Sequence, residues 1–157
     1  MKTVKGTAMN ADLELAKALL HGQGKALVLV KGGDVLATGE RQGVADLLAL
    51  VDRLGQAARG AGLADRVVGK AAALIAASVG VTAIYTPLVS ELAQAALVVQ
   101  GIHLQYERSV PVILNRQGNG PCPMERLVQQ IDDPEQAVRT LRDFIAPSSP
   151  QQMASRV

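Results

Sequence analysis

Three residues combine reactivity with a setting that could use it: a lysine in apolar surroundings, a lone cysteine at a helix start, and a glutamate three positions beyond it. Lys70 lies among Val67, Val68, Gly69 and the apolar run 71–75. A helix made of these residues has almost no polar face, so the amine must reach water, pair with an acid such as Asp65, or face a cavity. Desolvation favours the neutral amine, which could act as a base or nucleophile.

The segment Asn115-Arg116-Gln117-Gly118-Asn119-Gly120-Pro121-Cys122-Pro123-Met124-Glu125 joins a glycine-bearing loop, a cation and a helix start. Loop amides around Asn115, Gly118 and Gly120, together with the positive end of a helix, make an anion pocket. Arg116 could add a two-pronged grip on phosphate or carboxylate. Cys122 falls at the N-cap, Pro123 at the first helical position and Glu125 at the third, a capping box with sulfur in place of the usual hydroxyl. Serine would cap better. A thiol there is favoured as thiolate, so Cys122 could serve as nucleophile or sulfur carrier with Glu125 or Lys70 handling the proton. The alternative is a plain turn and cap around an inert cysteine.

Other chemistries lack their parts. His21, His103 and Cys122 sit on separate elements without the paired spacing of a zinc site, so neither metal nor cofactor is expected. Gly24-Lys25 and Gly69-Lys70 are each followed by alanine, where a phosphate-binding loop needs Ser or Thr to hold magnesium. No nucleophile elbow is present.

The elements that must position these residues follow from hydrophobic spacing. A length of 157 residues suits one domain, and a single cysteine excludes an internal disulfide framework. Sixteen Lys and Arg against fourteen Asp and Glu are too balanced to argue for nucleic acid or an anionic membrane. With Tyr85, Tyr106 and Phe144 the only aromatics, base-stacking platforms are excluded as well. No secretory pattern follows Met1, and the expected compartment is the cytoplasm. A helix is expected from an N-cap at Asn10 to Gly22, then a hairpin of strands 26–30 and 35–38 around Lys31-Gly32-Gly33-Asp34. The spacing of Val44, Leu47, Leu48, Val51 and Leu54 predicts an amphipathic helix.

Residues 55–62 read as a loop and 65–78 as a helix buried all round. A strand at 81–85, a break at Thr86-Pro87, a helix over 88–100 and a strand over 102–106 follow. The extended path continues through 110–114, with Pro111 marking a sheet edge or bulge. Helices over 124–131 and 135–145 close the chain. The order implies an α/β fold, a three-layer α/β/α sandwich with a mixed sheet, forming one domain over 1–146 with a disordered tail over 147–157.

The blocks Ala64-Asp65-Arg66-Val67-Val68-Gly69-Lys70-Ala71-Ala72-Ala73, Ser90-Glu91-Leu92, Gly101-Ile102, Tyr106 and Asn115-Arg116 through Cys122-Pro123-Met124-Glu125 resemble the DUF1893 family, over roughly residues 11–145. That family is similar to the cytidine deaminase-like fold. Zinc deaminases carry a His or Cys ligand two residues before a general acid-base Glu, and then a Pro-Cys-x-x-Cys motif. The resemblance places Val68 at the first ligand position, Lys70 at the acid-base position, Leu88 at the second ligand and Glu91 at the third. It therefore implies a pocket without zinc that presents Lys70, Thr86, Ser90 and Glu91. The resulting expectation is a metal-free domain binding a small anionic or nucleotide-like ligand, with no nucleic-acid or membrane partner. Two alternatives stay open: an enzyme using Cys122, and a structural or regulatory subunit whose 89–98 face forms a homo-oligomer.

Overall fold

The continuously apolar run Leu27 to Val30 becomes the buried heart of a central strand. The computed structural model describes residues 4–41 and 43–145, and the expected tail lies outside them. In it β1 (Leu27–Lys31) pairs antiparallel with β2 (Asp34–Gly39) on one side and with β3 (Gly62–Asp65) on the other. Gly32 and Gly33 make the hairpin turn at φ of 60° and 85°, backbone angles that side chains oppose. Their amides are held by the Asp12 carboxylate at 2.9 and 2.8 Å, which ties the turn to α1 (Val4–Gly22).

Beyond β3 the sheet turns parallel. The strand β5 (Ala83–Ser90) pairs with β3 along residues 83–85 and with the two-residue β4 (Val67–Val68) along 88–89. The other edge of β5 carries β6 (His103–Val110) in unbroken parallel order. The result is a six-stranded mixed sheet. One face is covered by α1, whose Leu13, Ala16 and Leu20 pack on Val28, Val30, Ala64 and Tyr85. The opposite face carries the larger core, where α2 (Val44–Leu54), α3 (Lys70–Ser78), α4 (Glu91–Gln100), α5 (Pro123–Val128) and α6 (Pro134–Ile145) lie over Leu29, Leu63, Ile84 and Val89. This is the expected α/β class, with helices flanking a mixed sheet.

Several boundaries differ from the reading of the sequence. Asn10 is not an N-cap, because α1 already begins at Val4. The apolar stretch 65–78 is not one helix. Its first part ends β3 and forms β4, and α3 starts only at Lys70. Both pieces are largely buried, so neither shows a period that separates strand from helix. Likewise β5 continues through Pro87 to Ser90, which leaves α4 to begin at Glu91. The break expected at Thr86-Pro87 marks instead the place where β5 passes from β3 to β4. There the Thr86 hydroxyl accepts the Leu88 amide at 3.2 Å and donates to the Leu88 carbonyl at 2.9 Å. Pro111 follows the end of β6, an edge strand as its proline suggested.

Candidate functional site

The start of α3 at Lys70 decides the chemistry of the region. A helix leaves its first amides without partners inside itself. Here they are taken by a side chain from another element: Lys70 N and Ala71 N donate to the two oxygens of Glu125, at 2.7 and 3.0 Å. Glu125 is buried on α5, and the carboxylate sits so close to Gly69 that a Cβ there would lie 2.5 Å from its carbon and each oxygen. That contact accounts for glycine at the N-cap of α3. Burial pushes the Glu125 carboxyl above the usual carboxylate range, while the Ala71 and Lys70 amides and the Lys70 charge pull it back.

Two expectations change as a result. Cys122 is the N-cap residue of α5 and Pro123 its first helical residue, but the sulfur makes no capping bond and Glu125 does not close a box on its own helix. It reaches across to α3. Lys70 is buried as its neighbours suggested, yet its amine is a tie between helices. The ammonium donates to the Gln129 carbonyl and to Asp132, both at 3.0 Å, rather than to Asp65. At the first position of α3 the side chain runs to the far end of α5, where carbonyls left over by that helix accept a cation. Glu125 and Lys70 thus clasp α5 from its two ends.

Beside this clasp lies a cleft of about 900 Å³. The start of α2, the corner between β3 and β4, Gly69 and Ala72 of α3, residues 113–117 and the start of α5 line it, with Phe144 at the side. Of the candidate residues, Asn115, Arg116, Cys122 and Glu125 line the cleft and Lys70 does not. Gly118 and Gly120 shape the turn behind it: Gly118 has a φ of 74°, Gly118 N donates to Asn115 O, and Asn115 N donates to Gly120 O. The Asn115 and Asn119 side chains brace the same turn. Thr86 spends its hydroxyl on Leu88, and Ser90 caps α4 by accepting the Ala93 amide at 3.1 Å. Glu91 is exposed at the start of α4 and lines no part of the cleft.

Two of the three positions that the deaminase resemblance sets at zinc ligands carry no donor atom. Val68 and Leu88 offer only hydrocarbon. Among the described residues no three His, Cys, Asp or Glu side chains gather as a metal site.

From the sequence alone, Asp65 offers only a partner for Lys70. The structure buries it to 5 % exposure in the cleft wall, with no ion pair among the described residues. The amides of Val67 and Arg66 hold the carboxyl, but burial outweighs them and pushes its pKa up to about 7. An acid that closes an otherwise apolar strand, just before the strand bends at Arg66, was the available signal. Arg66 itself is spent on the Lys25 and Leu20 carbonyls at 2.7 and 2.8 Å, fastening the bend to the end of α1.

Two expected outcomes follow from this geometry. In a double-mutant cycle, Gly69→Ala should cost roughly 2 to 3 kcal/mol alone and at least about 1 kcal/mol less in a Glu125→Ala background. Equal costs in both backgrounds, measured by urea unfolding, would remove the contact. The second outcome concerns pH. Asp65 holds its proton more tightly folded than unfolded, so its contribution to stability is complete below about pH 4 and is lost as pH rises to about 7. Relative to the wild type, Asp65→Asn should gain stability across that window, by up to about 4 kcal/mol, and then level off. A difference independent of pH would contradict the burial described.

Comparison with known proteins places the chain. A crystal structure of the DUF1893 family protein TM1506 from Thermotoga maritima, at 2.70 Å resolution, superposes with a TM-score of 0.76 at 23 % identity, over 91 % of this chain and 93 % of that one. At that identity the likeness speaks for the fold. No curated protein matches the sequence. The family model for the domain of unknown function DUF1893 matches residues 15–145, and the chain belongs to that family.

Proposed function

We propose that the cleft binds a small anionic, nucleotide-like ligand without the help of a metal. The observation that carries this reading is the buried Asp65 carboxyl in the cleft wall, poised to exchange a proton near neutral pH. Such a group can donate to, or accept from, the edge of a heterocycle or an amide. Val67 and Ala72 supply an apolar wall, and Arg116, exposed on the opposite loop, supplies the charge for an anionic group. The second cation at the cleft, Arg41, faces Asp46 at 3.5 Å and is partly neutralised. The α3 N-terminus does not serve as the anion site in this reading, because Glu125 already fills it. The nucleotide-like character of the ligand rests on the resemblance to the deaminase-like fold.

Cys122 in the same wall favours a second reading, in which its thiol reacts with the bound ligand. Thermal shift against nucleotides, nucleosides and small organic acids tests the first. The expected outcome is a rise in melting temperature with at least one anionic member, reduced by Arg116→Ala and by Asp65→Asn while both variants stay folded. No shift with any member, or a shift that both variants retain, would overturn the proposal. Protection of Cys122 from iodoacetamide by the same ligand would place the thiol beside it.

A further inference from the structure

The charges that line the cleft do not balance for an anionic ligand. Arg41 and Arg116 stand against Asp46, Asp65 and Glu125, and Cys122 is the remaining titratable group of the lining. Two of the three carboxyls are answered. Asp46 lies 3.5 Å from Arg41, and Glu125 takes the Lys70 and Ala71 amides with the Lys70 charge nearby. Asp65 has backbone amides but no cation among the described residues. It shares the face of β3 with Leu63, toward α2 and α3, whereas the guanidinium of its neighbour Arg66 is turned to the Leu20 and Lys25 carbonyls at the end of α1. Arg116 is exposed and enters no ion pair among the described residues. An anion held by Arg116 therefore leaves the buried Asp65 as a second negative charge with no cation of its own. A desolvated carboxylate beside a like charge takes a proton.

We propose that binding in this cleft is linked to the uptake of one proton by Asp65, and that the ligand is an anion carrying a lone-pair acceptor, a ring nitrogen or carbonyl oxygen, to meet the neutral acid. The inference rests on the reading of the cleft as an anion site. The proton comes from solvent and goes to the carboxylate, and no other bond changes. A carboxylic acid presents one donor and one acceptor, a carboxylate acceptors alone. The neutral form thus rejects a ligand that meets Asp65 with an ammonium or guanidinium group, and the site loosens its hold as pH rises. Burial already pushes the carboxyl up to about 7 in the free cleft. Below that pH the acid is protonated before the ligand arrives, and above it each ligand must bring a proton in.

Titration calorimetry of the full chain with adenosine monophosphate, whose ring nitrogens accept and whose phosphate carries the charge, reads the linkage. Taking the ratio of dissociation constants in the wild type and in Asp65→Asn cancels the titration of the phosphate itself. Between about pH 6 and about pH 8 the wild type should lose roughly tenfold in affinity relative to the variant. In two buffers of different ionisation heat at about pH 7.5, the wild type should take up about 0.5 to 1 proton more per ligand than Asp65→Asn. A ratio that ignores pH, an affinity that rises with pH relative to the variant, or no excess of protons would overturn the linkage and leave the anion site standing. Absence of binding up to about 10 mM would also overturn it, and the wider panel of nucleotides and organic acids then decides the anion site separately.

Discussion

A buried carboxylate closing the first turn of a helix on another element is the constraint around which this domain is arranged. The two oxygens of Glu125 take the Lys70 and Ala71 amides, which α3 cannot satisfy internally. The contact sets the direction of α5, demands a bare Cα at Gly69, and with it fixes one wall of the cleft. Moving α5 away would leave two amides and a carboxylate without partners in a largely dry region, a loss of several kcal/mol by the usual cost of unmade hydrogen bonds to charged groups.

The same contact engages the residues that the sequence marked as most reactive, Lys70 and Glu125. Burial opposes the charge of Glu125, and the α3 amides and the nearby Lys70 charge restore part of what burial removes. The Lys70 ammonium is itself held by the Gln129 carbonyl and Asp132. Each group is spent on holding α5 to α3. The other polar groups lining the cleft include Asp65 at the corner of β3 and β4, Arg116 on the loop opposite, and the Cys122 thiol, which makes no capping bond.

Elements with one wet face were legible from the residues alone. The helix Val44–Leu54 and the Gly32-Gly33 hairpin fall where their spacing and turn chemistry placed them. Among elements with no wet face, the short run Leu27 to Val30 was legible as a strand because a glycine turn bounds it, but the longer runs were not. The apolar stretch holding the end of β3, β4 and α3 carries no period, and Pro87 looks like a terminator although a change of strand partner accommodates it. The site shows the same division. Asn115, Arg116 and Cys122, which line the cleft, could be singled out because a glycine-bearing loop before a helix is a local pattern. The role of Glu125 was misread because the local rule returns its side chain to its own helix, whereas its partners lie 54 and 55 positions away in the chain. Asp65 escaped because burial, which alone raises its proton affinity, is a property of the assembled sheet.

The most direct test of the Glu125 contact is the pair of amides it binds. In solution NMR at neutral pH, the Lys70 and Ala71 amide protons should resonate downfield and exchange slowly with solvent despite standing at the start of a helix. Glu125→Ala should move both upfield and speed their exchange by at least about tenfold, the equivalent of one charge-assisted hydrogen bond. Amides that exchange freely in the wild type, or that ignore the substitution, would contradict the arrangement on which this account stands.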